Sequence, residues 1–303
     1  MKLNRGRRMM VMSVAALCAA TLVACGPDDS TADTVATVVV TETAGASTSP
    51  ARPTSPTTAA SSTMSDAKLT ASFDNMAKGL SSPVGLALVP VGGGEVMSFG
   101  DQTPRVAWST IKVPLAIAAE RENGPSPAAT DAIVMSDNAA AETLWSSLGT
   151  PTEASAAVTR VLREGGDKTS TVPSEKLRPE FSIFGQTTWA LGDAATFSAN
   201  LPCMPGTGNV LTLMEGVGGN QQWGLKAVPR RTTAVKGGWG PSLDGGYLVR
   251  QIGVLTLRDG RQVGVAMNAQ TTAGSMEVGA EALSAVGRWI ARHAASLPAG
   301  KCR

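Results

Sequence analysis

Residues 108 to 116 read Trp108-Ser109-Thr110-Ile111-Lys112-Val113-Pro114-Leu115-Ala116. Apolar residues at Ile111, Leu115, Ile117 and Ala118 recur at helical spacing, which predicts a helix opening near Ser109 and running to about Arg121. Positions three apart share a helix face, so the Ser109 hydroxyl and the Lys112 amine lie together. A neutral amine there can take the serine proton, and the helix N-terminus adds a positive dipole near the attacking oxygen. Alone, Ser-x-x-Lys is common on solvated helices and decides little. Its weight comes from two strings that follow.

Ser136-Asp137-Asn138 stands behind the apolar run Ala132-Ile133-Val134-Met135 and opens a second helix, Ala139 to Leu148. By itself it reads as an N-cap, since Ser, Asp and Asn are the preferred capping residues. Lys236-Gly237-Gly238 ends a strand over Thr232 to Val235, where the plain reading is a turn. Each string is cheap. Together, in this order and on helix, helix and strand, they form one constellation.

With these motifs the chain resembles the serine β-lactamases and penicillin-binding proteins, the class A β-lactamases in particular, over roughly residues 65 to 297. The resemblance implies that Ser109 forms an acyl-enzyme, that Lys112 is its general base or a proton relay, and that Ser136 passes a proton to the leaving nitrogen. It implies that Asn138 holds the substrate amide side chain and that Lys236 places positive charge near Ser136 and the substrate carboxylate. Gly238 completes the third motif, and the backbone N–H groups of Ser109 and Trp239 would form the oxyanion hole. Such a donor contributes about 2.7 to 4 kcal/mol to transition-state stabilisation. No cofactor or metal is implied.

Four departures qualify the match. Gly237 stands where the family has Thr or Ser, whose hydroxyl binds the substrate carboxylate, and Trp239 stands where a small residue is usual. No Glu-x-x-Leu-Asn string occurs between Asn138 and Thr187; Glu175 and Glu180 are the acids of the corresponding segment, Val172 to Phe184, and Glu175 is the candidate deacylation base. Ser136 follows Ser109 by only 27 positions, so the helical lobe is reduced. These departures predict weak β-lactam hydrolysis limited by deacylation. A D-Ala-D-Ala peptidase-like penicillin-binding protein, or a non-catalytic cell-wall-binding lipoprotein with a decayed site, are the alternatives.

Outward from the motifs, helical spacing runs from Met64 to Leu80, and strands over 84–91 and 95–99 flank Gly92-Gly93-Gly94. Helices are expected at 137–148, 152–163, 187–200 and 207–216. Strands follow at 232–236, 246–257 and 261–270, and an amphipathic helix closes the chain over 274–296. The order predicts an α+β fold: a five-stranded antiparallel sheet covered by N- and C-terminal helices, plus a reduced all-helical lobe. The sheet lobe takes 64–105 and 230–303, and the helical lobe 106–229. His293, the only histidine, falls in the last helix, which leaves no Ser-His-Asp triad and no histidine-based zinc site.

The chain ends speak to location. Residues 1 to 24 carry Lys2, Arg5, Arg7 and Arg8, then an apolar run, then Leu22-Val23-Ala24-Cys25, an export signal ending in a lipobox. Arg7-Arg8 also suits the twin-arginine route. The pattern resembles bacterial lipoproteins, in which the cysteine, here Cys25, is diacylated and anchors the protein to the outer face of the membrane. Residues 25 to 63, rich in Thr, Ser, Ala and Pro, are expected to be a disordered stalk, leaving 64–303 as the folded domain.

Losing the four basic residues of the signal leaves 22 Lys and Arg against 24 acids, a net charge near −2. That gives no support to a nucleic-acid partner. The expected ligand is a β-lactam or peptidoglycan-peptide-like molecule, and the expected state a monomer. Cys203 and Cys302 are the cysteines left in the domain, so an exported chain is expected to pair them; two separate thiols are the alternative.

Overall fold

Along β1 (Val84–Pro90) successive side chains serve two different cores, Leu86 and Leu88 one, Ala87 and Val89 the other. This two-residue period is what a strand buried on both faces imposes. The computed structural model describes residues 58–242, 245–272 and 275–303, and side chains from Asp66 onward. The expected signal segment, Cys25 and the stalk up to residue 57 lie outside the described residues. Among the described residues no helix is long and apolar enough to cross a membrane.

β1 pairs antiparallel with β2 (Met97–Gly100) on one side and β7 (Gln262–Thr271) on the other. β6 (Tyr247–Thr256) joins β7 to β5 (Thr232–Pro241). The result is the expected five-stranded antiparallel sheet, in the order β2-β1-β7-β6-β5. Two helices cover one face, α1 (Thr58–Ala77) and α8 (Met276–His293). Phe73 of α1, Phe99 of β2 and Trp289 of α8 meet there with ring centroids 5.1 to 5.3 Å apart. His293 accepts or donates across the same seam, its Nε2 lying 3.0 Å from Ser72 Oγ and its Nδ1 2.8 Å from Trp289 O. The single histidine is thus a tie between the terminal helices.

The opposite face carries α6 (Leu191–Asn200), which approaches closely because the strands present small residues. A Cβ at Gly264 would collide with the Ala199 backbone. Beyond it α2 (Lys112–Asn123), α3 (Pro127–Val134), α4 (Asn138–Ser147), α5 (Pro151–Glu164) and α7 (Gly208–Glu215) share one core through Ile117, Ile133, Leu144, Val158 and Val210. α2 is buried from Lys112 to Glu120, as a helix surrounded by others must be.

Four elements differ from the sequence reading, each for a local reason. α1 starts at Thr58 rather than 64, inside the segment expected to be stalk, because Thr58-Ala59-Ala60 contain no breaker after Pro56. α3 was not anticipated, although Ser126 caps it by accepting from Ala129 N at 3.2 Å and Pro127 takes its first position. The helix expected from 187 begins at Leu191, because Thr188–Trp189 forms β4, paired with β3 (Arg105–Val106). Wholly buried Arg250 holds that pair, donating to Arg105 O, Val106 O and Trp189 O at 3.0 to 3.1 Å. Finally β5 continues through Gly237, Gly238 and Trp239 to Pro241 as ladder, not turn.

Cys203 and Cys302 are bridged, their Cα atoms 5.4 Å apart, tying the C-terminal tail to the turn after α6. The link spans 99 positions of sequence, and closing a loop of that size is worth about 4 to 5 kcal/mol in the chain-entropy model. Protein recovered without reductant is expected to show no free thiol by mass spectrometry, and to melt well below its oxidised form once reduced. Two alkylatable thiols in unreduced protein would contradict the bridge.

Candidate active site

Ser109 lies in a 3-10 turn, Trp108–Ile111, that runs directly into α2. The turn is entered through Trp108 in the left-handed region, φ 47°, a conformation rare for a bulky residue and the kind of strain that collects at functional sites. Ser109 is partly open while Lys112 is 1% exposed. Lys112 Nζ donates to Ser136 O at 2.7 Å, Asp137 O at 3.1 Å and Asn138 Oδ1 at 2.8 Å. Burial pulls its pKa down from the usual lysine value to about 8, against the opposing pull of Asp137 and Glu142. The amine therefore titrates near neutrality, where a base for serine must.

The second motif combines its two readings. Asp137 is the N-cap of α4, accepting from Ala140 N at 2.7 Å. Ser136, at φ 58°, reverses the chain just before the cap, so its carbonyl meets Lys112 while its hydroxyl meets Lys236. Asn138, the first residue of α4, reaches back to Lys112.

Lys236 of β5 is fully buried and donates to Ser136 Oγ at 2.9 Å, Gln221 Oε1 at 2.8 Å and Gly237 O at 2.9 Å. Burial first, then the charge on Lys112, lower its pKa well below the ordinary lysine value. Gln221 is a residue the sequence reading missed. It accepts from Gly237 N at 2.9 Å and donates to Ile133 O and Val134 O, both at 3.0 Å, so it fastens the end of α3 to the third motif.

The glycines of the third motif are explained by what surrounds them. A Cβ at Gly238 would sit 2.8 Å from Ser109 N and 2.9 Å from Ala107 O, so only glycine lets β5 lie against the turn that carries Ser109. A Cβ at Gly237 would sit 2.8 Å from the Trp223 indole, and Trp239 packs edge-on against the same ring, centroids 6.4 Å apart. A threonine here would displace Trp223. An aromatic wall thus replaces the hydroxyl, and Trp223 is a second site residue with no signal in the sequence.

A cleft of about 410 Å³ opens over Ser109, walled by Asn138, Glu142, Glu180, Phe181, Trp239 and Tyr247. A depression of similar volume between α1 and β2 holds none of the motif residues. Glu175, the candidate base of the loop, is exposed and is not part of the cleft wall. Glu142 of α4 is in that wall, on the helix face of Asn138 one turn earlier.

Comparison with known proteins agrees on the architecture. No protein-family model and no curated protein matches the sequence. Among solved structures, a β-lactamase from Streptosporangium roseum superposes with a TM-score of 0.61 at 15% identity, covering 76% of this chain and 100% of that one. The fold is that of the class A β-lactamases and penicillin-binding proteins. The extended-spectrum β-lactamase TLA-3 gives 0.59 at 14% identity over 75% of this chain and 99% of its own. A variant of PBP-A, solved as an acyl-enzyme with penicillin G, gives 0.58 at 20% identity over 78% and 97%. Within this fold hydrogen bonds join Lys112 to Ser136 and Asn138, and Lys236 to Ser136, while Ser109, Asn138 and Trp239 line the cleft.

Proposed function

We propose that this protein is a serine acyl-enzyme that opens β-lactam rings through Ser109. One observation carries the reading: Lys112 and Lys236 both grip Ser136, by its carbonyl and its hydroxyl, beside the nucleophile turn. In its neutral form Lys112 takes the Ser109 proton as Oγ bonds to the lactam carbonyl carbon. The N–H groups of Ser109 and Trp239 receive the oxyanion. The ring C–N bond then breaks and the nitrogen takes the Ser136 proton, which Lys112 or Lys236 replaces. The likeness to a penicillin G acyl-enzyme supports this assignment.

The aromatic wall in place of the third-motif hydroxyl weakens recognition of the ligand carboxylate, and an acyl-enzyme that outlives its formation is expected. Export and lipid anchoring at Cys25, which place the cleft at the outer face of the membrane, belong to the same proposal and rest on the lipobox. The peptidase alternative differs in ligand, not in nucleophile.

Stopped-flow mixing with a chromogenic cephalosporin provides the test. The expected trace is a burst of one product per protein followed by a slower steady state, and a fluorescent penicillin should mark the protein in gels. Marking without steady turnover would favour the peptidase reading, and neither signal would leave only a non-catalytic binding role.

A further inference from the structure

We propose that Glu142 binds and deprotonates the water that hydrolyses the Ser109 acyl-enzyme, an inference that rests on the acyl-enzyme reading above. Three placements converge on it. Glu142 and Ser109 line the same cleft. Asn138 and Glu142 are four apart on α4, so the carboxylate stands one turn beyond the amide that accepts from Lys112. Lys112 and Glu142 also feel each other's charge, which puts the carboxylate within electrostatic reach of the nucleophile's own base.

The environment suits a water-activating base. Much of the Glu142 side chain is open to solvent, so water has access. Crowding at the cleft wall still raises its pKa above the ordinary glutamate value, against the pull of Lys176 and Lys112. A more basic carboxylate is a better proton acceptor. Glu180 lines the same cleft, and Asp137 caps the start of the same helix. Glu180 shares the cleft wall but belongs to the loop rather than to the motif-bearing helix.

The step balances with water as the only co-reactant. The Glu142 carboxylate removes a proton from water while the oxygen bonds to the ester carbonyl carbon. The tetrahedral intermediate collapses, breaking the bond between that carbon and Ser109 Oγ. The proton held by Glu142 is returned to Ser109 through Lys112, which restores the starting state and releases an acid. Loop residue Glu175 takes no part.

The experiment marks the full protein with fluorescent penicillin, removes the excess and follows loss of the label between about pH 4 and pH 8. Glu142→Gln is expected to lengthen the lifetime of the label by about 100 to 10,000-fold. Glu142→Asp should fall between Gln and the parent, and Glu175→Gln, at an exposed position outside the cleft wall, should match the parent. In the unchanged protein, label loss should slow as pH falls through the raised pKa of Glu142. Equal lifetimes for Glu142→Gln and the parent, or label loss in the parent that ignores pH across this range, would overturn the role of Glu142 and leave the acyl-enzyme standing. A parent protein that takes up no label would overturn both.

Discussion

A Ser109→Ala protein is expected to take up no covalent penicillin and no fluorophosphonate, whatever the exposure time. Ser109 combines three features: a place in the turn that opens α2, a lysine one turn on, and close contact with β5 through Gly238. Ser136 is the other serine of the motifs, but it accepts from Lys236 and is positioned to donate onward rather than attack. The substitution removes one oxygen at a partly open position, so the fold should persist with an unchanged melting curve. An adduct that survives in Ser109→Ala, mapped to Ser136, would reverse the two roles.

Lys112→Ala is expected to slow acylation by about 100 to 10,000-fold, the usual worth of a positioned general base. The pH dependence carries the more specific prediction. Burial lowers the Lys112 pKa to about 8, so about one amine in ten is neutral at pH 7. Acylation by the unchanged protein should therefore rise with pH and level off above about pH 8, because the active form is the deprotonated one. Lys112→Ala should lose that rise. The three oxygens around Nζ suit the ammonium form, and burial opposes them; the balance sets the pKa near the working range. A rise that persists in Lys112→Ala would point to another base, with Lys236 the first candidate.

Much of this site could be read from the sequence because its chemistry is local. Ser109 and Lys112 are neighbours by helix geometry alone, and Ser136 to Asn138 announces its own cap. The sheet was legible as well, since the apolar run Val84–Pro90 is bounded by Gly92-Gly93-Gly94 and the last two strands flank Arg258-Asp259-Gly260. What escaped depends on contacts between distant segments. Gln221 sits in a short turn with no periodic signal, and its work appears only when α3 and β5 are brought together. Gly237 looked like a lost hydroxyl, and only the Trp223 ring 2.8 Å from a hypothetical Cβ explains the loss. β4 was hidden inside a helical pattern because a buried arginine from β6 stabilises it.

Glu142 is a different case. Likeness to the family's loop points to Glu175, whereas Glu142 stands four residues beyond Asn138 on α4. That spacing places both side chains on one helix face and is legible from the sequence alone.

Peptide mapping of the protein after brief exposure to penicillin G tests the acyl-enzyme account most directly. The account predicts one added mass of ring-opened penicillin per chain, carried by the peptide containing Trp108 to Lys112 and fragmenting to Ser109. An adduct confined to any other residue, or no adduct at saturating ligand, would contradict it.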